Sequence, residues 1–253
     1  MTPYMDTIVV GGNEIAFELK QGKNAEDAIV FLHGIGTSMD IWDAQIDFFS
    51  SRYRTARFDW KGHGSSRLNA PNPNFSLEGL AKDLKHVLSE LNIRKPYIVA
   101  HDGAGVIALK ADIEDLVKSK GMILINAADR MDKIKPKMVS KWIENKTPSL
   151  SMKESLHLKD TFEHADESAI EGWCRSISGA NLADQSPYIS IPVEFIIGKG
   201  NSVIKQKAVE AAVGRIPKSR FTPMNHGDFI MLENKQGLNE EIKDFLEIFI
   251  PSL

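Results

Sequence analysis

The chain has 253 residues, 42% hydrophobic and 26% charged, a composition that suits one large globular domain or a core domain with an insertion. A net charge of −3 with both signs interspersed excludes the basic face of a nucleic-acid or anionic-membrane binder. No apolar run approaches the ~20 residues of a membrane span, MTPYMDTIVV lacks the basic start and apolar stretch of a signal peptide, and the single cysteine, Cys174, excludes an intramolecular disulfide and fits a reducing compartment. The expectation is a cytoplasmic protein.

The first strands are expected at residues 6–10 and 13–19, joined by Gly11-Gly12, a favoured hairpin turn. Short apolar runs follow at 28–32 (AIVFL), 54–58 (RTARF), 96–100 (PYIVA), 122–125 (MILI) and 193–197 (VEFII). Runs this brief, without polar alternation, suit strands buried on both faces of a parallel sheet. Ser76 can cap a helix whose Leu77, Leu80, Leu84, Val87, Leu88 and Leu91 recur at helical spacing, with Glu78 in its first turn. A last helix over 239–249 carries Ile242, Phe245, Leu246 and Phe249 on one face. Strands alternating with helices imply a parallel sheet with right-handed crossovers, an α/β fold.

One interval breaks this rhythm. KPKMVSKWIENK, SLSMKESLHLKD and DESAIEGWCRSISG read as short helices with polar faces, and no strand separates them. Residues 129–190 are therefore expected to form a helical cap inserted into a core of 1–128 and 191–253; crossover helices beside the sheet are the alternative. No internal repeat or low-complexity segment is visible.

Four pieces stand after strand candidates: His33-Gly34-Ile35-Gly36, FDWKGHGSS at 58–66, Ala100-His101-Asp102-Gly103-Ala104-Gly105, and Asn225-His226-Gly227 after a short strand at 220–222. Their order and spacing resemble the α/β-hydrolase fold family over nearly the whole chain. The resemblance implies a mostly parallel eight-stranded sheet with a cap over the active site. Ala100, Asp102, Ala104 and Gly105 match the small-x-nucleophile-x-small-small elbow, which needs small neighbours because the turn is strained and the helix packs closely on the strand. In this frame Asp102 is the nucleophile, His226 the base, and the N–H groups of Gly103 and Ile35 the oxyanion hole. The competing role for Asp102 is an ordinary helix cap. No serine lies in a G-x-S-x-G elbow.

An ionised aspartate needs no activating base. It can displace a leaving group from saturated carbon, and water activated by His226 would then hydrolyse the resulting ester. An aspartate elbow is similar to haloalkane dehalogenases, haloacid dehalogenases and epoxide hydrolases, so the resemblance implies a cofactor-independent hydrolase of a small molecule. Their substrate signatures are not intact here: Gly103 replaces the tryptophan or arginine after the aspartate, Tyr188 is the one cap tyrosine, and Thr37 or Gly36 replaces a proline. Trp60, Trp142 or Trp173 could supply the missing halide donor. The position after 193–197 where an acid would support His226 holds Asn201; some relatives supply the acid after the preceding core strand, where Asp129 or Asp132 lies, and Asp228 is an acid beside His226. An Asp102–His226 acid–base pair in a lyase, isomerase or cyclase is therefore a second reading, and an inactive ligand-binding relative a third.

Around this site His33, Gly34, His101, Trp60, Trp142 and Trp173 are candidate pocket residues, with His33 and His101 as loop buttresses. His63 belongs to its loop; His86, His157 and His164 read as exposed or packing residues. No metal is expected, since no histidine pair has ligand spacing, and GKGNS lacks the Walker pattern. Met131, Met138 and Met152 either line the pocket with the tryptophans or pack the cap. Cys174 has no activating neighbour in sequence.

Overall fold

The computed structural model describes residues 6–146 and 150–249. Its strands are β1 (Asp6–Val10), β2 (Asn13–Lys20), β3 (Asn24–Leu32), β4 (Tyr53–Phe58), β5 (Tyr97–His101), β6 (Gly121–Ile125), β7 (Val193–Gly198) and β8 (Ser219–Met224). They form one eight-stranded sheet in the order β1-β2-β4-β3-β5-β6-β7-β8. The β1–β2 and β2–β4 pairs are antiparallel, and every pair from β4–β3 to β7–β8 is parallel. Every residue of β5, β6 and β7 is buried, the consequence of runs with no polar face.

The helices are α1 (Asp43–Phe49), α2 (Leu77–Glu90), α3 (Gly103–Ile113), α4 (Pro136–Lys146), α5 (Met152–His164), α6 (Glu167–Ile177), α7 (Gln206–Val213), α8 (Ile230–Glu233) and α9 (Lys235–Phe249). Ser76 caps α2 as its sequence requires, its Oγ accepting from the Gly79 N–H at 3.0 Å. Leu80, Leu84, Val87 and Leu88 of α2 are buried, as are Ile242, Phe245 and Leu246 of α9. The expectations for residues 1–5 and for the side chain of Phe249 lie outside the described residues.

Most boundaries move by one or two residues, and two starts move by four. β3 begins four residues before its apolar run, at the cost of a register shift between Asn24 and Ala28. Helix α9 starts at Lys235 rather than 239, because Asn234 reaches forward with its side chain to the Gly237 N–H and opens the helix there.

Between β6 and β7 the chain runs through α4, α5 and α6, with no strand among the described residues of that interval. Its two ends meet. Arg130 and Asn181 form an antiparallel bridge, and the Leu182 N–H donates to the Asp129 carbonyl at 2.8 Å. The parallel strands all end on the same side of the sheet, so the segments after β3, β4, β5, β7 and β8 converge there. Among the described residues no helix is long and apolar enough to cross a membrane.

Truncating Leu84, fully buried on α2, is expected to cost about 2–5 kcal/mol as Leu84→Ala. Ser76→Ala, which deletes one cap bond, should cost about 1 kcal/mol. Urea unfolding of the two variants measures both.

Candidate active site

Asp102 joins β5 to α3 at φ 54° and ψ −132°, a positive φ that few non-glycine residues adopt. Its side chain makes no hydrogen bond of the kind a Ser or Asp cap makes to the second or third N–H of a helix. The backbone is pinned instead: the Asp102 N–H donates to the Ile125 carbonyl and its own carbonyl accepts from the Gly105 N–H, both at 2.9 Å. Close packing fixes the rest. A Cβ on Gly34 would lie 2.9 Å from the Asp102 Cβ and 2.9 Å from the His101 Nδ1, so no other residue fits there without displacing the elbow.

The Asp102 carboxyl is buried, and its Oδ1 has no hydrogen-bond partner among the described residues. Burial, reinforced by the charge of Asp228, pushes its pKa up to about 7, while hydrogen bonds from the backbone N–H groups of Ile35 and Gly103 oppose the rise.

The Ile35 N–H owes its direction to its neighbours. The His33 Nδ1–H and the Thr37 Oγ–H both donate to the Gly34 carbonyl, at 2.8 and 2.9 Å. That carbonyl belongs to the same planar peptide as the Ile35 N–H and points the opposite way, so holding the one aims the other. The His33 tautomer is fixed from its far side, where Nε2 accepts from the Trp60 N–H at 3.0 Å. The Trp60 indole N–H also donates to the His33 carbonyl at 3.1 Å. Burial holds the His33 pKa well below its ordinary value, so the ring is neutral. Trp60 and His33 therefore brace the loop.

His101 likewise braces a neighbouring segment. Burial lowers its pKa to about 4, and its Nε2–H donates to the Asp228 carbonyl at 2.8 Å. Asn126, at the end of β6, donates to the carbonyls of Gly227 and Asp228 and accepts from the Gly198 N–H. Glu233 receives the Gly227 N–H at 2.6 Å and the Phe229 N–H at 3.3 Å. This frame holds the turn 226–229. His226 is half-buried on it, with Nδ1 buried and without a partner among the described residues. The carboxylate whose charge acts on Asp102 is Asp228.

The acid candidates are engaged elsewhere. Asn201 donates to the Gly198 carbonyl at 2.6 Å and accepts from the N–H groups of Val203 and Ile204, so its amide builds the turn after β7. Asp129 is fully buried in a two-pronged ion pair with Arg215, at 2.6 and 2.7 Å, and also accepts from the Ser186 Oγ–H at 2.8 Å. Both its oxygens are thereby committed to Arg215, in the turn after α7, and to Ser186.

A roof covers the elbow. A Cβ on Gly103 would meet the Ile177 Cδ1 at 2.5 Å and the Trp173 ring at 3.4 Å, and Gly36 lies against Phe162 and Val139. Trp173 stacks edge-on against Trp60 at 5.4 Å, whereas Trp142 is partly buried on α4 and packs on the general core. Cys174 of α6 is buried, and its thiol is pushed up to about 12 by burial and by the charge of Asp102. Sequence reasoning found the loops but missed the roof residues Ile177, Phe162 and Val139, which carry no mark beyond being apolar. It also weighed Asp228 only as an acid beside His226. Its immediate sequence to the N-H-G turn was the available signal.

Residues 27–163 match the family model described as alpha/beta hydrolase fold. The chain is 25% identical over 214 residues to 3-oxoadipate enol-lactonase 1 of Acinetobacter baylyi, covering 76% of this chain and 77% of that protein. It is 30% identical over 87 residues to epoxide hydrolase 4 of Homo sapiens, which is 34% of this chain and 24% of that one. Among solved structures it superposes on the enol-lactonase from Burkholderia xenovorans LB400 with a TM-score of 0.84, at 20% identity over 95% of this chain and 99% of that chain. A hydrolase from Pseudomonas aeruginosa PA01 gives a TM-score of 0.85, at 16% identity over 97% of this chain and 99% of that chain. At these identities the structural likeness is one of fold.

The Asp102 carboxyl is bound more tightly to its proton in the folded chain, near pH 7, than in the unfolded chain, near ~3.9. The folded state thus loses stability as the pH rises from about 4 through about 7. Asp102→Asn removes that loss. The variant should gain on the parent across this interval, on the order of a few kcal/mol, and the gain should level off above it. Urea midpoints from pH 4 to 8 measure the difference; a gain that does not vary with pH would contradict it.

Proposed function

The chain belongs to the α/β hydrolase fold family, and we propose that it is a cofactor-independent hydrolase of a small organic substrate, working through an ester on Asp102. The observation that carries this reading is the state of the Asp102 carboxyl. Burial holds it at a pKa of about 7, against the effect of the Ile35 and Gly103 N–H groups. In its ionised form the carboxylate needs no base to remove a proton before attack.

In the first step that oxygen attacks a saturated carbon, and the bond to the leaving group breaks with its electron pair on the leaving group. In the second, water attacks the carboxyl carbon of the ester. The tetrahedral oxyanion receives the N–H bonds of Ile35 and Gly103, and collapse releases the alcohol and the Asp102 carboxyl. The apolar and aromatic roof of Val139, Phe162, Trp173 and Ile177 favours a small, largely apolar electrophile. The likeness to an epoxide hydrolase agrees with attack at saturated carbon.

One observation favours a second reading, proton transfer on a bound carbonyl compound without hydrolysis. With a pKa of about 7, Asp102 exists in both protonation states near neutral pH, as an acid–base group requires.

Single turnover in ¹⁸O-water is expected to place label in the Asp102 carboxyl, read by peptide mass spectrometry. Asp102→Asn should lose about 10³-fold or more in turnover. Productive turnover without label overturns the ester, and solvent deuterium entering recovered substrate would establish the second reading. The rate of the first step should rise with pH around 7 as Asp102 ionises.

A further inference from the structure

We propose that Asn126 is a positioning residue of this site, holding the turn that carries His226 against the elbow so that the ester on Asp102 is hydrolysed. The assignment rests on the ester reading above and concerns its second step. In that step His226 takes a proton from water as the water oxygen bonds to the Asp102 carboxyl carbon. On collapse the bond from that carbon to the substrate oxygen breaks, and the departing alkoxide takes the proton from His226.

Asn126 directly follows β6 and is fully buried, with φ at 50°. Its amide makes three bonds to two other segments. The Nδ2–H groups donate to the Gly227 carbonyl at 3.1 Å and the Asp228 carbonyl at 3.0 Å, and Oδ1 accepts from the Gly198 N–H at 2.9 Å. One orientation of the amide satisfies this set, because exchanging its N and O would set an oxygen against two carbonyls. The turns after β7 and β8 approach so closely that a Cβ on Gly198 would collide with the Gly227 carbonyl. The Asp228 carbonyl also accepts from the Nε2–H of His101, and the His226 carbonyl accepts from the Gly200 N–H at 2.9 Å. The three successive carbonyls from His226 to Asp228 are thereby fixed, two of them by Asn126. The elbow is joined to the same point, since the Asp102 N–H donates to the carbonyl of Ile125, the residue before Asn126.

Two demands meet at this position. A positive φ favours Gly, Asn or Asp, and the two carbonyls require two donors. Asparagine alone of the three meets both. Aspartate has the same shape, but once ionised it only accepts, and it would face two carbonyl oxygens. The position thus selects an amide and excludes the carboxylate that most resembles it.

The test compares the parent with Asn126→Gly and Asn126→Asp. Glycine keeps the backbone conformation and deletes all three bonds; aspartate keeps the shape and deletes the donors. Adducts on Asp102 are followed by intact mass and peptide mapping, with styrene oxide as the electrophile at pH 6 and pH 8. Asn126→Gly is expected to form the adduct within about threefold of the parent rate and to hydrolyse it about 30-fold more slowly, so that it accumulates. A residue that served only the stability of the fold would leave both steps of the folded protein unchanged. In Asn126→Asp the carboxyl donates one bond while protonated and none once ionised, so its deficit against the parent should widen by about tenfold from pH 6 to pH 8. At the ends of the elements that meet residue 126 the titratable side chains are His101, Asp102, Asp129, Lys199, His226, Asp228 and Glu233. All are shared with the parent, so the ratio of the two rates at each pH isolates the new carboxyl.

Amide hydrogen exchange reports the turn directly and needs no substrate. At fixed pH, exchange across 225–229 should quicken about tenfold or more in Asn126→Gly, while 97–105 keeps the parent rates. Unchanged exchange across the turn overturns the assignment. A quickened turn with ester hydrolysis at the parent rate also overturns it, and leaves the ester reading intact. A deficit of Asn126→Asp that does not vary with pH overturns the donor role of the amide. No adduct on Asp102 in any of the three proteins overturns the ester reading, and the assignment with it.

Discussion

The site depends on one strained residue. Asp102 holds a positive φ with ψ far from the left-handed helical well, a conformation that costs about 1–3 kcal/mol for a non-glycine residue. It persists because its surroundings over-determine it. The strand before it is buried along its whole length, α3 buries its small and apolar residues from Gly103 to Leu109, and the backbone on both sides of Asp102 is hydrogen-bonded. The strain lifts the carboxyl out of line with β5 and α3. The N–H groups of Ile35 and Gly103 then act against the rise that burial imposes on its pKa. The small residues of this stretch are the means by which the core supports that strain.

Charge is handled around the elbow by subtraction. His33, His63 and His101 are all buried with lowered pKa values, so they serve as neutral hydrogen-bonding blocks. Asp59, which receives the N–H groups of Met39 and Ser65 at 2.7 Å, is pushed up to about 7 by burial. The charge of Asp228 adds to the rise that burial imposes on Asp102.

The sheet was legible in the sequence because strands buried on both faces leave short apolar runs that nothing else in the chain resembles. The elbow was legible because steric limits on it are severe enough to dictate four residue types. Helices α1 and α7 were less so, being short and partly exposed. The groups about the last turn were the least legible. His226 and Asp228 are two residues apart, and which one faces Asp102 depends on how Glu233, His101 and Asn126 hold the backbone between them. Those contacts come from four different segments. Asp129 shows the same limit: position suggested a catalytic acid, but Arg215, 86 residues away, claims both its oxygens.

The same ion pair explains how the roof is attached. Asp129 stands at the entry to the insertion and Ser186 near its exit, and one buried carboxylate binds both Ser186 and Arg215. Along α5 the attachments are different in kind. His157 meets Asp40 at 3.4 Å, and Lys235 meets Glu154 at 2.5 Å, all four side chains being at least partly exposed. Pairs in such settings contribute about 0–1 kcal/mol each. The segment between β6 and β7 is thus fastened at its ends and held lightly along α5, which also carries Phe162 against Gly36. The lightly held side of the insertion therefore lies beside the loop that bears Gly36 and Ile35.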